Sequence, residues 1–185
     1  MKKIKKVSEY ILSQHKKGYS FKNLEDPYTL KNENEAYEVQ FDFQKNAKRG
    51  KIGGYKIALA SKVQQQLCSI NNPIAGGIFK SEIYQSQEII KLKNYQSLGL
   101  EFELAFEINQ DIFPDTLENE DINIKNYVNN AYTCFELIDD RNASYNNLDA
   151  LTLIADNAWS SGIILSNPNP KWKDFDLNKL NSKLY

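Results

Sequence analysis

Histidine and methionine each occur once in this 185-residue chain and cysteine twice, while 23 Lys and Arg nearly balance 24 Asp and Glu. The single histidine, His15, sits among lysines in KKIKKVSEYILSQHKKG. That excludes histidine-built zinc centres and Ser-His triads. Cys68 and Cys134 lie in apolar surroundings without paired spacing, the pattern of reduced thiols in a cytosolic protein. A net charge of −1 points neither to a nucleic-acid binder nor to an acidic tail. No apolar run approaches the roughly 20 residues of a membrane span. The basic N-terminus has no continuous apolar segment and no small-residue cleavage site, so no signal peptide and a cytoplasmic location are expected. Catalysis, if any, must rest on carboxylates, lysines, hydroxyls or a hard metal.

What is present suffices for a core: 41% of residues are apolar and 12% aromatic. The length fits one domain. Residues 5–17 read as a helix ended by Gly18, with Val7, Tyr10 and Ile11 on one face. ENEAYEVQFDFQKNAKRG reads as a second helix with Ala36, Tyr37 and Phe41 inward and Gly50 at its end. GGYKIALAS reads as a short strand, and SKVQQQLC as one or two helical turns capped by Ser61. NNPIAGGIF has turn chemistry, with Pro73, Gly76 and Gly77. EDINIKNYVNNAYTCF suggests a helix running into a buried strand, CFELID; LDALTLIADNAW looks helical, and SGIILSN is another strand. Without a regular βαβ rhythm, the class is α+β.

In GLEFELAFEI, residues 99–108, Leu100, Phe102, Leu104, Phe106 and Ile108 alternate with other residues that include Glu101, Glu103 and Glu107. A strand has a two-residue period, so Glu101 and Glu103 share a face with backbones roughly 6–7 Å apart. They are either the wet side of a half-solvated strand or ligands of one cation. Glu136 alters the balance, because in TCFELIDDR it is flanked by Cys134, Phe135, Leu137 and Ile138. An apolar run gives it no solvent face, so it needs a partner. A lysine or Arg141 would serve, as would a divalent cation shared with Glu101 and Glu103. Three carboxylates suit Mg²⁺ or Mn²⁺. Lys56 is an edge-strand lysine or, beside a metal and an anion, a group that orients a carboxylate or moves a proton. Asp156 and Asn157 read as a polar helix end before a serine pair.

Taken in order, GGYKIALASKVQQQL, NPIAGGIF, LEFELAFEI, FELIDDR and ADNAWSSGIILS resemble the 2-oxopent-4-enoate hydratase / 4-oxalocrotonate decarboxylase family of the fumarylacetoacetate hydrolase fold superfamily. The resemblance covers nearly the whole chain. It implies a mixed β-sheet roll with leading helices: an N-terminal helical region at 1–50 and the N-terminal part of a catalytic core at 51–185. It implies a Mg²⁺- or Mn²⁺-dependent enzyme of small 2-oxo or 2-hydroxy-dienoate acids in aromatic compound catabolism, such as a hydratase converting 2-hydroxypenta-2,4-dienoate to 4-hydroxy-2-oxopentanoate, or a decarboxylase. The family's metal ligands fall on Glu101, Glu103 and Glu136, and its substrate lysine on Lys56. Its carboxylate-seating segment falls on Leu59 and Ser61, and its serine after A-D-N-A on Ser160 or Ser161, because Trp159 is inserted. A homo-oligomer is expected, with no nucleic-acid or membrane partner.

Two departures qualify these expectations. Many relatives carry an acid after the P-x-x-G-x-L-F-like segment, where this chain has Ser81; if that acid activates the water, hydratase activity requires Glu82 beside it to substitute. The family also continues for several strands beyond DLNKLNSKLY, so an incomplete, open sheet is expected. A degenerate, non-catalytic partner subunit is therefore an alternative reading. An acylpyruvate hydrolase or oxaloacetate decarboxylase is a further one.

Overall fold

A computed structural model describes residues 2–117, 122–181 and 183. Two helices lead: α1 (Lys2–Lys17), ending at Gly18 with φ +66°, and α2 (Glu33–Asn46), capped by Asn32. Val7 and Ile11 of α1 pack with Val39 and Phe43 of α2 and with Ala155. Phe41, expected inward, is 58% exposed. The inward stripe of α2 runs instead through Ala36, Val39, Gln40, Phe43 and Gln44. The helix ends at Asn46, and Gly50 lies beyond it with φ +99°.

Strand β1 (Ile52–Ala58) leads through Ser61 into α3 (Lys62–Leu67) and pairs antiparallel with β2 (Ile74–Phe79). The turn expected over NNPIAGGIF is therefore largely a buried strand. Its glycines serve close approach: a Cβ on Gly76 would stand 2.6 Å from the Asn157 carbonyl oxygen, and one on Gly77 2.6 Å from Gln44 Nε2.

The second sheet has the order β3 (Ile83–Gln85), β6 (Ser160–Leu165), β5 (Val128–Asp139), β4 (Leu98–Ile108). Strand β3 runs parallel to β6; the other neighbours are antiparallel. The helix expected within EDINIKNYVNNAYTCF is a 3₁₀ turn at Ile124–Tyr127 followed by β5. Val128, Ala131, Cys134 and Leu137 are buried at intervals of three. That spacing imitates a helix, although it arises from a central strand covered on both faces.

A four-residue helix, α4 (Pro114–Leu117), follows β4, and α5 (Ala150–Ala155) follows β5. After α5 the backbone turns left-handed at three successive residues, Asn157, Ala158 and Trp159 (φ 60°, 50° and 56°). Asn157 is fully buried and holds this turn to β2, accepting from Gly77 N (2.7 Å) and donating to Gly77 O (2.8 Å). Among the described residues no helix is long and apolar enough to cross a membrane.

Candidate metal centre and active site

The antiparallel register of β4 and β5 sets Glu101 opposite Glu136 and Glu103 opposite Cys134. One carboxylate oxygen from each of Glu101, Glu103 and Glu136 lies within 4.8 Å of the others. Glu136, on the central strand, is 3% exposed, whereas Glu103 is exposed on the edge strand. Glu107 is separately engaged by Asn130 Nδ2 (2.5 Å) and the Tyr132 hydroxyl (3.1 Å).

Lys56 arrives from the other sheet. Its Nζ stands 2.7 Å from Glu136 Oε1, both side chains being buried. The contact is a close, buried ion pair. Burial pushes the Glu136 carboxyl above its ordinary range; Lys56 opposes this and the Glu101 and Glu103 charges add to it. Glu103 is likewise raised, by burial of its carboxyl and then by Glu101, with Lys56 opposing. Burial and the two neighbouring glutamates push the Cys134 thiol up to about 12, so it is neither nucleophile nor thiolate ligand.

The donor set is thus oxygen only. Glu101, Glu103 and Glu136, each offering an oxygen within 4.8 Å of the others, would hold a hard divalent cation such as Mg²⁺. Three hard carboxylates converging from two strands, one of them buried, fit a hard divalent cation.

The other expected site residues are engaged locally or line a cavity. Leu59 follows β1 with φ +55°, its carbonyl accepting from Gln65 Nε2 (2.9 Å). Ser61 is occupied as the cap of α3, accepting from Gln64 N (3.2 Å) while the Gln64 side chain accepts from Ser61 N (3.2 Å). Glu82, Ser160 and Ser161 line a cavity of about 360 Å³ together with Arg49, Tyr84 and Asp156; Lys56 and the three clustered glutamates are not on its wall. Both Glu82 oxygens are taken by Arg49, through Nε and Nη2 at 2.7 Å each, and Nη2 also donates to Ser160 O at 2.9 Å.

Sequence reasoning did not find Arg49 or the ion network at Asp156. The polar helix end is a buried hub: Asp156 binds Arg141 Nη2 through one oxygen and faces His15 Nε2 at 2.8 Å through the other. Arg141 thus pairs with Asp156, and the partner of Glu136 is Lys56. The available signal was a charged pair within apolar sequence, Asp156 after LTLIA and Arg141 after FELIDD.

This architecture is the fold of a 4-oxalocrotonate decarboxylase from Pseudomonas putida G7, solved with magnesium and adipate. The two superpose with a TM-score of 0.79 at 18% identity, over 95% of this chain and 66% of that one. The same decarboxylase with calcium and acetate gives 0.77. In sequence the chain is 28% identical over 149 residues to a 2-keto-4-pentenoate hydratase of Paraburkholderia xenovorans (strain LB400), covering 80% of this chain and 54% of that protein. It matches 2-keto-4-pentenoate hydratase 3 of Pseudomonas putida to the same extent. The chain therefore spans about half the length of the curated relatives it matches. No protein-family model matches it. In sequence and in fold the chain resembles the 2-oxopent-4-enoate hydratase / 4-oxalocrotonate decarboxylase family.

Proposed function

We propose that the chain carries the metal centre of a divalent-cation-dependent lyase of small 2-oxo or 2-hydroxy-dienoate acids, with hydration of 2-hydroxypenta-2,4-dienoate as the specific reaction. One observation carries the reading: Glu101, Glu103 and Glu136 converge from two strands while Lys56 meets them from a third. Glu101, Glu103 and Glu136 would hold Mg²⁺ or Mn²⁺, which supplies a Lewis acid for a 2-oxo acid's adjacent oxygens. Lys56 places a buried ammonium beside that position, suited to orient the substrate carboxylate or deliver a proton to the dienoate carbon chain. Net hydration adds one water: C4 gains the hydroxyl, and C5 and C3 gain one proton each, one from the water and one from the C2 enol, which becomes a ketone. Glu82 is the candidate for activating that water only if Arg49 releases it.

The test is consumption of 2-hydroxypenta-2,4-dienoate by purified chain with Mg²⁺, compared with the same protein in a chelator. Turnover that requires the cation is expected. Full activity in chelator, or none with Mg²⁺ or Mn²⁺ in protein that demonstrably binds the metal, would refute the catalytic reading.

The reading includes self-association. The accessible surface is 12,668 Å² for 21.3 kDa, against about 9,100 Å² for a compact monomer of that mass. Part of the excess is apolar, including Leu100, Phe102, Phe106 and Ile108 on β4, which is the edge of its sheet among the described residues. Sedimentation equilibrium is expected to give a multiple of the chain mass; a monomer at micromolar concentration contradicts it.

A further inference from the structure

We propose that Lys56 sets the strength and reversibility of cation binding: its ammonium is a fixed competitor for Glu136, and neutralising it tightens the site. The inference rests on the metal reading above. It stands on geometry: Lys56 Nζ is 2.7 Å from Glu136 Oε1, and Oε1 lies within a side chain that is 3% exposed. A dication held by the three glutamates would share the Glu136 carboxylate with that ammonium, placing like charges a few ångströms apart where water screens them poorly.

Both partners stand on backbone held by its neighbours. Glu136 is on β5, paired on both sides by β4 and β6. Lys56 is on β1 opposite Gly76, and the position of Gly76 is fixed by the Asn157 turn, whose carbonyl would meet an added Cβ at 2.6 Å. The charge of Lys56 also offsets the cost of burying Glu136. Removing it leaves three carboxylates for which a dication is the natural counter-charge. The native arrangement therefore trades affinity for a cation that exchanges, and keeps an ammonium within reach of whatever the cation binds.

Calorimetric titration with Mg²⁺ and with Mn²⁺, at about pH 8 so that protons compete little, tests this on wild type, Lys56→Gln and Lys56→Arg. Expected is a fall in Kd of about tenfold or more for Lys56→Gln and little change for Lys56→Arg, which keeps the charge. Wild-type binding that Lys56→Gln leaves unchanged or weakens overturns the inference while the metal reading stands. Absence of binding in wild type and variant alike overturns both. Should Lys56→Gln fold poorly by circular dichroism, Lys56→Met serves, read as the rise in Tm on adding cation; a rise no larger than that of wild type counts against the proposal.

Discussion

Glu103→Ala is expected to abolish divalent-cation binding while leaving the fold intact, whereas Glu136→Ala abolishes binding and destabilises the protein as well. The asymmetry follows from position. Glu103 lies exposed on an edge strand, and its loss leaves no charge stranded. Loss of Glu136 leaves the Lys56 ammonium, 8% exposed, without its partner, and an orphaned buried charge costs about 3–5 kcal/mol. Both variants should lower metal-dependent turnover by about 10³-fold. Calorimetry, thermal melts and activity separate these effects, and Glu103→Ala that still binds Mg²⁺ like wild type sinks the assignment. A pH series adds a signed test. Glu103 and Glu136 are both raised above the ordinary value of 4.5. The folded state therefore holds protons that the unfolded chain has released. Their contribution to stability is fully present below about pH 4.5 and is lost as pH rises through the elevated values. In chelator, the Tm of the wild type relative to a variant with both glutamates changed to Gln should decline as pH is raised from about 4.5 towards neutrality; Mg²⁺ should reverse the decline by binding the ionised carboxylates.

The carboxylate cluster was legible in the sequence through two local signals and the family resemblance that joined them. Period-two alternation placed Glu101 and Glu103 on one face, and an apolar run without a solvent side required a partner for Glu136. Which cation answers Glu136 was not legible, since the 2.7 Å contact with Lys56 joins two sheets that only tertiary packing brings together. The errors in secondary structure have the same origin. Buried residues three apart in β5 carry a helical period because both faces of a central strand are covered, and local sequence does not report how many faces are covered. Gly76 and Gly77 resemble turn residues because glycine marks both positive φ and close approach; here it is the latter, against Asn157 and Gln44. Asp156 illustrates the limit most clearly, because its partners His15 and Arg141 lie 141 and 15 residues away along the chain.

That hub yields the second large effect. Asp156→Ala is expected to destabilise the protein by about 3–5 kcal/mol, lowering Tm by roughly 10 °C for a chain of this size. Asp156 and Arg141 are 4% exposed each, and among the described residues the guanidinium pairs with no other carboxylate: Nη1 donates to the Tyr19 carbonyl at 3.2 Å, and the group lies over the Phe21 ring. Removing the acid strands the cation. If that charge is the source of the cost, then Asp156→Ala combined with Arg141→Met should be more stable than Asp156→Ala alone, since the second change removes the uncompensated charge and fills the space with an apolar chain. A double variant as unstable as the two single losses added together would mean that packing, not charge, dominates there. The same variants connect the hub to the cavity. Asp156 lies on its wall with Glu82, Ser160 and Ser161, and its neighbour Asn157 fixes the left-handed turn against β2 beside Gly76 and Lys56. Loosening the hub should therefore also weaken the Lys56–Glu136 contact, which holds the Glu136 carboxyl down against its burial, detectable in chelator as a steeper fall of Tm with rising pH; an unaltered curve would show that the two ion networks are energetically independent.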